Sequence, residues 1–438
     1  MITIYSVEEA KKTILKRKPL TRMQYAPALV SRTEALFGAG VTPPRAVEII
    51  LHSVEERGDE ALREWSARLD KYEGEEIVIA PERLKQAWKT LDPRLQQVMQ
   101  VSLERICEFH ERQPIQSWVT TEMGGMLGQR VSAIERVGVY VPGGTAPLPS
   151  SLLMSVIPAK VAGVKQVIVA TPPEPHQAIL AAAYLCNVDA VYQIGGAQAI
   201  AAMAFGTESV VRVDKIVGAG NLFVTLAKQQ LFGVVGMEGL AGPTETMVIA
   251  DGSANPDWVA ADLLAQAEHD VQASAILLTP DANLAKAVQV AVAEQLPRLS
   301  RNDILLASLE NASGIVVTES LQEAATLANE YAAEHLCLSV GNPQALMDQI
   351  NNAGGFFLGD HSFEVLGDYI AGPSHVMPTG GTARYASPLN VLDFVKISSV
   401  IGLDATTAKS LSNLAAQLAD VEGLTAHAAA ARAREERA

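Results

Sequence analysis

The chain has 438 residues, of which 48% are apolar and 19% charged, a composition typical of globular proteins that excludes a disordered chain. Its 34 basic and 49 acidic residues leave a net charge of −15, which argues against non-specific binding to nucleic acid. We expect neither a secretory signal nor a membrane span, because no basic start leads into an apolar run and no stretch of 18 strongly apolar residues occurs. Cys107, Cys186 and Cys337 are odd in number and far apart, which predicts free thiols and a cytoplasmic protein.

The first part of the chain is predicted to be helical. Residues 31–70 space their apolar side chains with a period of 3.6, interrupted by Gly and Pro, and "RLQQVMQVSLERICEFHERQP" forms an amphipathic pattern that stops at Pro114. We expect residues 1–28 to be an N-terminal arm. Residues 29–128 are expected to be a helical segment that packs with the second of two α/β modules.

Strand and helix patterns alternate from about residue 130. The β-branched runs "VGVYVPGG", "QVIVATPP", "AVYQIGG" and "DKIVGAG" each end in Gly or Pro, and alanine-rich helical stretches separate them. A second block contains "TMVIAD", "SAILLTP", "GIVVTES" and "LCLSV". Such alternation predicts an α/β protein with two incomplete, Rossmann-like parallel-sheet modules, residues 129–246 and 247–384, with ligands at the carboxyl ends of the strands. Residues 385–438 are expected to be a short helical tail.

Four polar side chains form a candidate metal site. In "LLAQAEHD", Gln266 and His269 are three residues apart on a predicted helix and share a face. Asp368 lies in a predicted Gly- and Pro-rich loop, and His427 lies near the C-terminus. One amide, one carboxylate and two imidazoles could complete a Zn²⁺ site. Each residue alone is better explained by an ordinary structural role, such as that of a turn or surface residue, and the metal motifs with reliable spacing are absent.

The stretch "NEYAAEHLCLSV" places Glu334 and His335 side by side at the start of an apolar strand. Burying such groups is costly unless they are paired, bound to a metal or catalytic. The nucleotide signal is as unspecific as the metal signal, because no G-x-G-x-x-G occurs. A Gly143–Gly144 turn before a helix and "GAGN" around Asn221 could hold an anion, or could be ordinary turns.

Taken in order, seven motifs resemble the histidinol dehydrogenase family. They are "VGVYVPGGTAPLPSSLLMSVIPAKVAGV", "GGAQAIAAMAFGTESV" with "VDKIVGAGN", "AGPTETMVIAD", "LLAQAEHD", "NEYAAEHL", "GDYIAGPSHVMPTGG" and "EGLTAHAAA". The resemblance implies a zinc enzyme that oxidises L-histidinol to L-histidine through the aldehyde with two NAD⁺, the last steps of histidine biosynthesis. It also implies a homodimer in which the C-terminal tail of one subunit completes the active site of the other.

The resemblance also implies a role for each matching residue. The ligands of one Zn²⁺ per subunit would be Gln266, His269, Asp368 and His427. The acid–base pair would be Glu334 and His335. The substrate contacts, besides the zinc ligands, would be Thr244, His335, His375 and Glu422. The NAD contacts would be Tyr140, Gln198 and Asn221. Glu334 and His335 can serve one substrate only if the backbone there leaves helical geometry.

Some positions depart from the family pattern. Thr244 stands where serine is usual, and "GMEGL" and "GAGN" replace the commoner forms. One alternative is therefore a related zinc and NAD dehydrogenase for another small alcohol, such as a sulfonate diol. Two others are a zinc hydrolase in which Glu334 activates metal-bound water, and a non-catalytic dimeric α/β binding protein.

Overall fold

The computed structural model describes residues 2–17, 25–143 and 147–435, so Gly144 of the predicted glycine turn lies outside the described residues. Among the described residues up to 111, the structure has one short strand and six helices. They are β1 (Ile4–Ser6), α1 (Val7–Lys12), α2 (Pro27–Phe37), α3 (Pro43–Arg57), α4 (Asp59–Trp65), α5 (Pro81–Lys89) and α6 (Pro93–Glu111). Proline opens α2, α3, α5 and α6, where its missing N–H is not needed. A π-helical turn, Ser66–Asp70, continues α4.

The first module is a parallel sheet with the strand order β6-β5-β4-β7-β8. Its elements, with the antiparallel pair β2–β3 that precedes them, are β2 (Trp118–Thr120), β3 (Met126–Ala133), β4 (Arg136–Tyr140), α7 (Pro149–Val161), β5 (Gln166–Thr171), α8 (Gln177–Leu185), β6 (Ala190–Gln193), α9 (Gly196–Phe205), β7 (Lys215–Val217), α10 (Leu222–Leu231) and β8 (Gly236–Met237). The β-branched runs form the strands because helices cover both faces of the sheet.

The second module is a six-stranded parallel sheet with the order β1-β11-β10-β9-β12-β13. Its elements are β9 (Glu245–Ala250), α11 (Pro256–Ala267), β10 (Ser274–Thr279), α12 (Ala282–Gln295), α13 (Asn302–Asn311), β11 (Gly314–Val317), α14 (Leu321–Tyr331), β12 (His335–Ser339), α15 (Pro343–Met347), β13 (Gly355–Leu358) and α16 (Glu364–Tyr369). Every residue of β9 and β10 is buried. The N-terminal strand β1 adds an edge to this sheet. The predicted α/β class with two parallel-sheet modules is confirmed.

The C-terminal tail begins with a strand and ends with a helical hairpin. One 3₁₀ turn, Leu296–Arg298, links α12 to α13 in the second module, and two others, Thr382–Arg384 and Val391–Phe394, precede the strand of the tail. These two are followed by β14 (Val395–Gly402), α17 (Ala405–Val421) and α18 (Thr425–Glu435). The strand β14 pairs antiparallel with β3, and the two helices pack against each other.

The helices between α3 and α6 pack mainly on the first module. Helix α3 contacts α9 and α10, α5 contacts α8, and α6 contacts α7. Ile50 shares a core with Met203, and Ile106 shares another with Leu153. The expectation that this segment packs with the second module is therefore wrong for most of its length. An amphipathic pattern predicts that a helix face is buried but does not identify the partner.

Helix α6 also reaches the second module, where the Ser102 hydroxyl donates to the Tyr369 carbonyl at 2.6 Å. The three cysteines are free thiols, as predicted. Across the described residues, no helix combines the length and apolarity needed to cross a bilayer.

Candidate active site

Glu334 and His335 lie at the amino edge of the second sheet. Helix α14 ends at Tyr331, Ala332 adopts the left-handed conformation with φ 52° and ψ 64°, and β12 begins at His335. The predicted departure from helical geometry is confirmed. In the second module the catalytic candidates therefore flank the amino ends of strands. The expectation of a site at the carboxyl ends is wrong for this sheet.

Glu334 is buried and held by two donors. The Thr244 hydroxyl donates to Glu334 Oε2 at 2.6 Å, and the Glu245 backbone N–H donates to the same oxygen at 2.9 Å. Burial raises the pKa of Glu334 to about 7, against the opposing effects of the His335 charge and these hydrogen bonds. A carboxyl with a pKa near neutrality can take up and release a proton at physiological pH, as general acid–base chemistry requires.

His335 is oriented by the backbone of β9. Its Nδ1 lies 3.2 Å from the Glu245 carbonyl oxygen and, when protonated, donates a hydrogen bond to it. The other ring nitrogen, Nε2, therefore faces the cavity and lies 3.6 Å from Asp368 Oδ1. No described residue hydrogen-bonds that buried Nε2. Burial lowers the pKa of His335, but the carboxyls of Glu364, Glu334 and Asp368 outweigh burial and raise the pKa to about 10. The imidazole thus sits among three acids.

Glu364 is a site residue that sequence reasoning missed. It lies in α16, is 1% exposed, accepts a hydrogen bond from the Thr246 hydroxyl, and has Oε1 3.8 Å from His335 Nδ1. Burial raises its pKa to about 7. Its position four residues before Asp368, on the same helix face, was the available signal.

Gln266, His269 and Asp368 line one cavity of about 170 Å³, together with Glu334 and His335. Gln266 lies in the last turn of α11, whereas His269 lies two residues beyond the end of that helix, so the two do not share one helix as predicted. Gln266 is fully buried, and neither of its amide atoms has a partner among the described residues. A buried, unpaired amide costs about 1–3 kcal/mol, a cost that a bound cation would offset.

His375 also lines this cavity. Its Nδ1 lies 2.7 Å from the Asp368 carbonyl and its Nε2 lies 3.3 Å from Ser151 Oγ. Asp368 belongs to helix α16 rather than to a loop, contrary to the sequence expectation. Burial raises the pKa of Asp368, but the close contact and charge of His335, with the charges of the neighbouring imidazoles, outweigh burial and lower the pKa below its usual value.

Glu422 and His427 lie outside this cavity. Glu422 ends α17, His427 lies in α18, and both are exposed. Within the described ranges, no group of three or more His, Cys, Asp or Glu side chains is arranged to hold a metal ion. One chain therefore brings together three of the four predicted zinc ligands, one of them an amide.

Tyr140, Gln198 and Asn221 line a second cleft of about 620 Å³ at the carboxyl edge of the first sheet. Tyr140 is the last residue of β4, and its hydroxyl accepts a hydrogen bond from the Gly196 N–H at 3.0 Å. Gln198 is buried, and its Nε2 donates to Asp70 Oδ2 at 3.0 Å while its Oε1 has no described partner. Asn221 caps α10 by accepting from two backbone N–H groups. Asp70, which also lines the cleft, was not predicted.

The two clefts adjoin along the loop after β7, because Ala219 lines the catalytic cavity and Asn221 lines the second cleft. A buried ion pair holds this loop. Lys228 Nζ donates to both carboxylate oxygens of Glu238, at 2.7 and 2.8 Å, and to the Gly218 carbonyl at 3.1 Å. Gly218 has φ 108°, and a Cβ there would lie 2.1 Å from the Tyr140 carbonyl oxygen. The two stretches that depart from the family pattern therefore contact each other, because Glu238 of "GMEGL" accepts from the N–H of Gly218 in "GAGN".

Comparisons with known proteins agree with this arrangement. The family model described as histidinol dehydrogenase matches residues 41–435. A histidinol dehydrogenase of Thermus thermophilus is 50% identical over 88% of this chain and 93% of its own length. One of Geobacillus kaustophilus is 48% identical over 90% of this chain and 94% of its own length. The crystal structure of histidinol dehydrogenase from Elizabethkingia anophelis superposes with a TM-score of 0.90 at 33% identity, covering 100% of this chain and 98% of that one.

Proposed function

The chain belongs to the histidinol dehydrogenase family, and from that premise we propose that it oxidises L-histidinol to L-histidine through the aldehyde, using two NAD⁺ and one Zn²⁺ per subunit. The observation that carries the proposal is the buried Glu334–His335 pair in the same cavity as the unpaired Gln266 amide. The overall reaction removes four electrons, so two hydrides leave the substrate carbon and one water enters between them.

Gln266, His269 and Asp368 would hold the zinc ion, because an unpaired amide, an imidazole and a carboxylate converge in one cavity. When bound, zinc supplies a Lewis acid that orients the amine and imidazole of the substrate and offsets the negative charge around His335. His375 lies beside these ligands and is placed to contact the substrate.

The carboxylates that raise the pKa of His335 would be offset by bound zinc, so its neutral imidazole would accept the hydroxyl proton of the alcohol at Nε2 while the first hydride passes to NAD⁺. Its Nδ1 contact with the Glu245 carbonyl fixes the ring so that Nε2 faces the cavity. Glu334 would then take a proton from the water that attacks the aldehyde carbon, and the resulting hydrate loses the second hydride to another NAD⁺. A pKa of about 7 suits Glu334 to that role, because it can be ionised before the attack and protonated after it.

The cleft at the carboxyl edge of the first sheet would hold NAD. Its lining includes Tyr140, Gln198 and Asn221, and it adjoins the catalytic cavity through the loop after β7. The unpaired Gln198 Oε1 is available to a cofactor hydroxyl. Ligands of doubly wound sheets commonly bind at this edge.

A second copy of the chain would supply the fourth ligand. The tail exposes apolar side chains, with Val421 88% exposed, Leu418 68% and Leu414 58%. Exposed apolar groups concentrated on one helix favour burial in an oligomer. In a homodimer the hairpin of α17 and α18 would carry Glu422 and His427 of each subunit to the cavity of its partner.

The alternatives have less support. Relatives at 50% and 48% identity carry the name histidinol dehydrogenase, which favours histidinol over a sulfonate diol. The family is one of dehydrogenases, which favours oxidation over hydrolysis or mere binding.

The deciding experiment measures NADH formed per L-histidinol consumed by the purified, zinc-loaded protein in excess NAD⁺, with chelator-treated protein in parallel. We expect two NADH per substrate and loss of activity on chelation, restored by zinc. No NADH from histidinol would exclude that substrate, and the same assay would then test sulfonate diols.

A further inference from the structure

The N-terminal arm contacts the segments behind the catalytic pair through Arg17. The guanidinium donates to both carboxylate oxygens of Glu245, with Nη2 to Oε2 at 2.8 Å. Its Nε donates to the Tyr331 carbonyl at 2.9 Å, and its Nη2 also reaches the carbonyls of Tyr331 and Ala332, at 2.6 and 3.3 Å. The guanidinium carbon lies 3.6 Å from the centroid of the Tyr331 ring. One side chain therefore joins two separate segments.

Each of these two segments is directly connected to Glu334 and His335, one by hydrogen bonds and the other along the chain. The backbone N–H of Glu245 donates to Glu334, and its carbonyl meets His335 Nδ1. Tyr331 and Ala332 end α14 immediately before the pair. Arg17 thus fixes the end of the helix that leads to Glu334 and His335 relative to the strand residue that hydrogen-bonds both of them.

The contact is largely buried and specific to arginine. The side chain of Glu245 is 8% exposed and that of Arg17 is 26% exposed. The Gly380 N–H also donates to Glu245 Oε1 at 3.1 Å, so the same carboxylate holds the loop whose Thr379 lines the cavity. Removing one partner of a buried pair leaves an uncompensated charge. A lysine has no planar fork with which to reach the carboxylate and the carbonyls together.

We propose that Arg17 is a positioning residue for the oxidation: it does not line the catalytic cavity, and it acts by holding Glu245 and the end of α14 so that Glu334 and His335 face the substrate together. The proposal rests on the proposed function, because it assigns Arg17 to the reaction of that site. Residue placement errors of about 1 Å can cost about 100-fold in rate, which sets the scale of the expected effect.

The kinetic test compares Arg17→Met and Arg17→Lys with Lys16→Met, an exposed cation next to it in the chain. We expect kcat to fall about 10- to 100-fold in Arg17→Met and less in Arg17→Lys, with KM for histidinol and NAD⁺ within about threefold of the wild type. Lys16→Met should match the wild type. An unchanged kcat in both Arg17 variants, or a change in KM alone, would overturn the proposal.

Two further measurements separate positioning from general stability. Millimolar guanidinium should partly restore kcat of Arg17→Ala and leave Lys16→Met unchanged, since the small cation can occupy the same contact. In addition, Arg17→Met combined with Glu245→Gln should lose no more activity than the worse single variant, because the two residues act as one unit. If the fold-losses in kcat of the two single variants multiply in the double variant, Arg17 acts independently of Glu245 and the proposal is wrong.

Amide hydrogen exchange supplies a readout that does not depend on the reaction. In Arg17→Met, and in Arg17→Lys to a smaller extent, exchange should rise in peptides covering residues 243–248 and 331–336, with the first module unchanged. If the wild type fails to oxidise histidinol, the proposed function fails, but the exchange measurement still tests whether Arg17 holds Glu245 and the end of α14 in place. A uniform rise across the chain, or none, would overturn the positioning role.

Discussion

The hydroxyl of Thr244 donates to Glu334 Oε2 at 2.6 Å, so the threonine serves the buried carboxylate directly. Thr244, for which the family resemblance implies a substrate contact, also lines the catalytic cavity. Its hydroxyl stabilises the ionised form of Glu334, and a threonine can do this as well as the serine usual in the family.

We therefore expect Thr244→Ser to keep nearly full activity and Thr244→Val to lose about 10-fold or more in kcat/KM. Without the donor, the pKa of Glu334 rises further above its usual value, so the acid limb of the pH profile should move to higher pH in Thr244→Val. The measurement is kcat/KM against pH for the three proteins. An acid limb that stays in place would show that the hydroxyl does not act on Glu334.

Gln266→Leu should separate metal binding from folding. In metal-free protein the change removes an unpaired buried amide, so the free energy of unfolding should stay equal or rise by about 1–3 kcal/mol. Zinc at about 100 times its Kd should stabilise the wild type by about 2.7 kcal/mol and the variant far less. Thermal unfolding with and without zinc measures both effects. The control is Gln193→Leu, which loses hydrogen bonds to Tyr72 and Glu76 and should be destabilised. A zinc-induced rise in Tm that survives in Gln266→Leu would remove Gln266 from the ligand set.

Glu334→Gln should divide the two oxidation steps. A glutamine cannot accept the proton of water, so oxidation of the aldehyde should fall by about 10²–10⁴ while formation of the aldehyde falls less. In the presence of a carbonyl trap, one NADH per histidinol should accumulate. His335→Asn should show the converse, oxidising added aldehyde better than alcohol. Equal losses of both steps in both variants would contradict the division of roles.

Mixing two inactive variants tests whether the tail crosses between subunits. His335→Asn and His427→Ala proteins, dissociated together and reassociated, should recover about a quarter of wild-type activity. Half of the random dimers are mixed, and each of these has one intact site. If each tail serves its own subunit, both sites of a mixed dimer are defective and no activity returns.

Asp262 gives a pH-dependent stability test away from the reaction. Burial, with the nearby charge of Asp360, raises the pKa of Asp262 to about 6. The unfolded chain releases this proton at lower pH than the folded one, so ionisation destabilises the fold as pH rises from about 4 to 6 and the full cost remains above that. Asp262→Asn should stabilise the protein at pH 8 by on the order of 1 kcal/mol, allowing for partial exposure, and the gain should vanish near pH 4. Urea unfolding at both pH values measures this, with the exposed Asp348→Asn as a control; a gain independent of pH would refute the titration.

Much of the site could be predicted because its parts are local. The alternation of strand and helix patterns identified both sheets, and the motifs around Gln266, Glu334 and Asn221 marked the residues that line the two clefts. Each motif is short, and its position at the end of a strand or helix follows from its own sequence.

What could not be predicted depends on contacts between distant residues. Arg17 and Glu245 are 228 residues apart, and nothing in either neighbourhood indicates the other. Glu364 looks like any helix-opening acid until the fold buries it against His335. The helices α3 to α6 show which face is apolar, but only the packed structure shows that the first module covers it.

The pairing of β12 carries a consequence for how the enzyme assembles. His335 stands opposite Thr246 of β9 and Gly355 of β13, and a Cβ on the adjacent Gly354 would lie 2.4 Å from the Glu334 carbonyl oxygen. A slip of β12 by one position would exchange its two faces and put Leu336 where the imidazole belongs. A refolded chain with β12 out of register would therefore lack the imidazole in the catalytic cavity and would show no turnover.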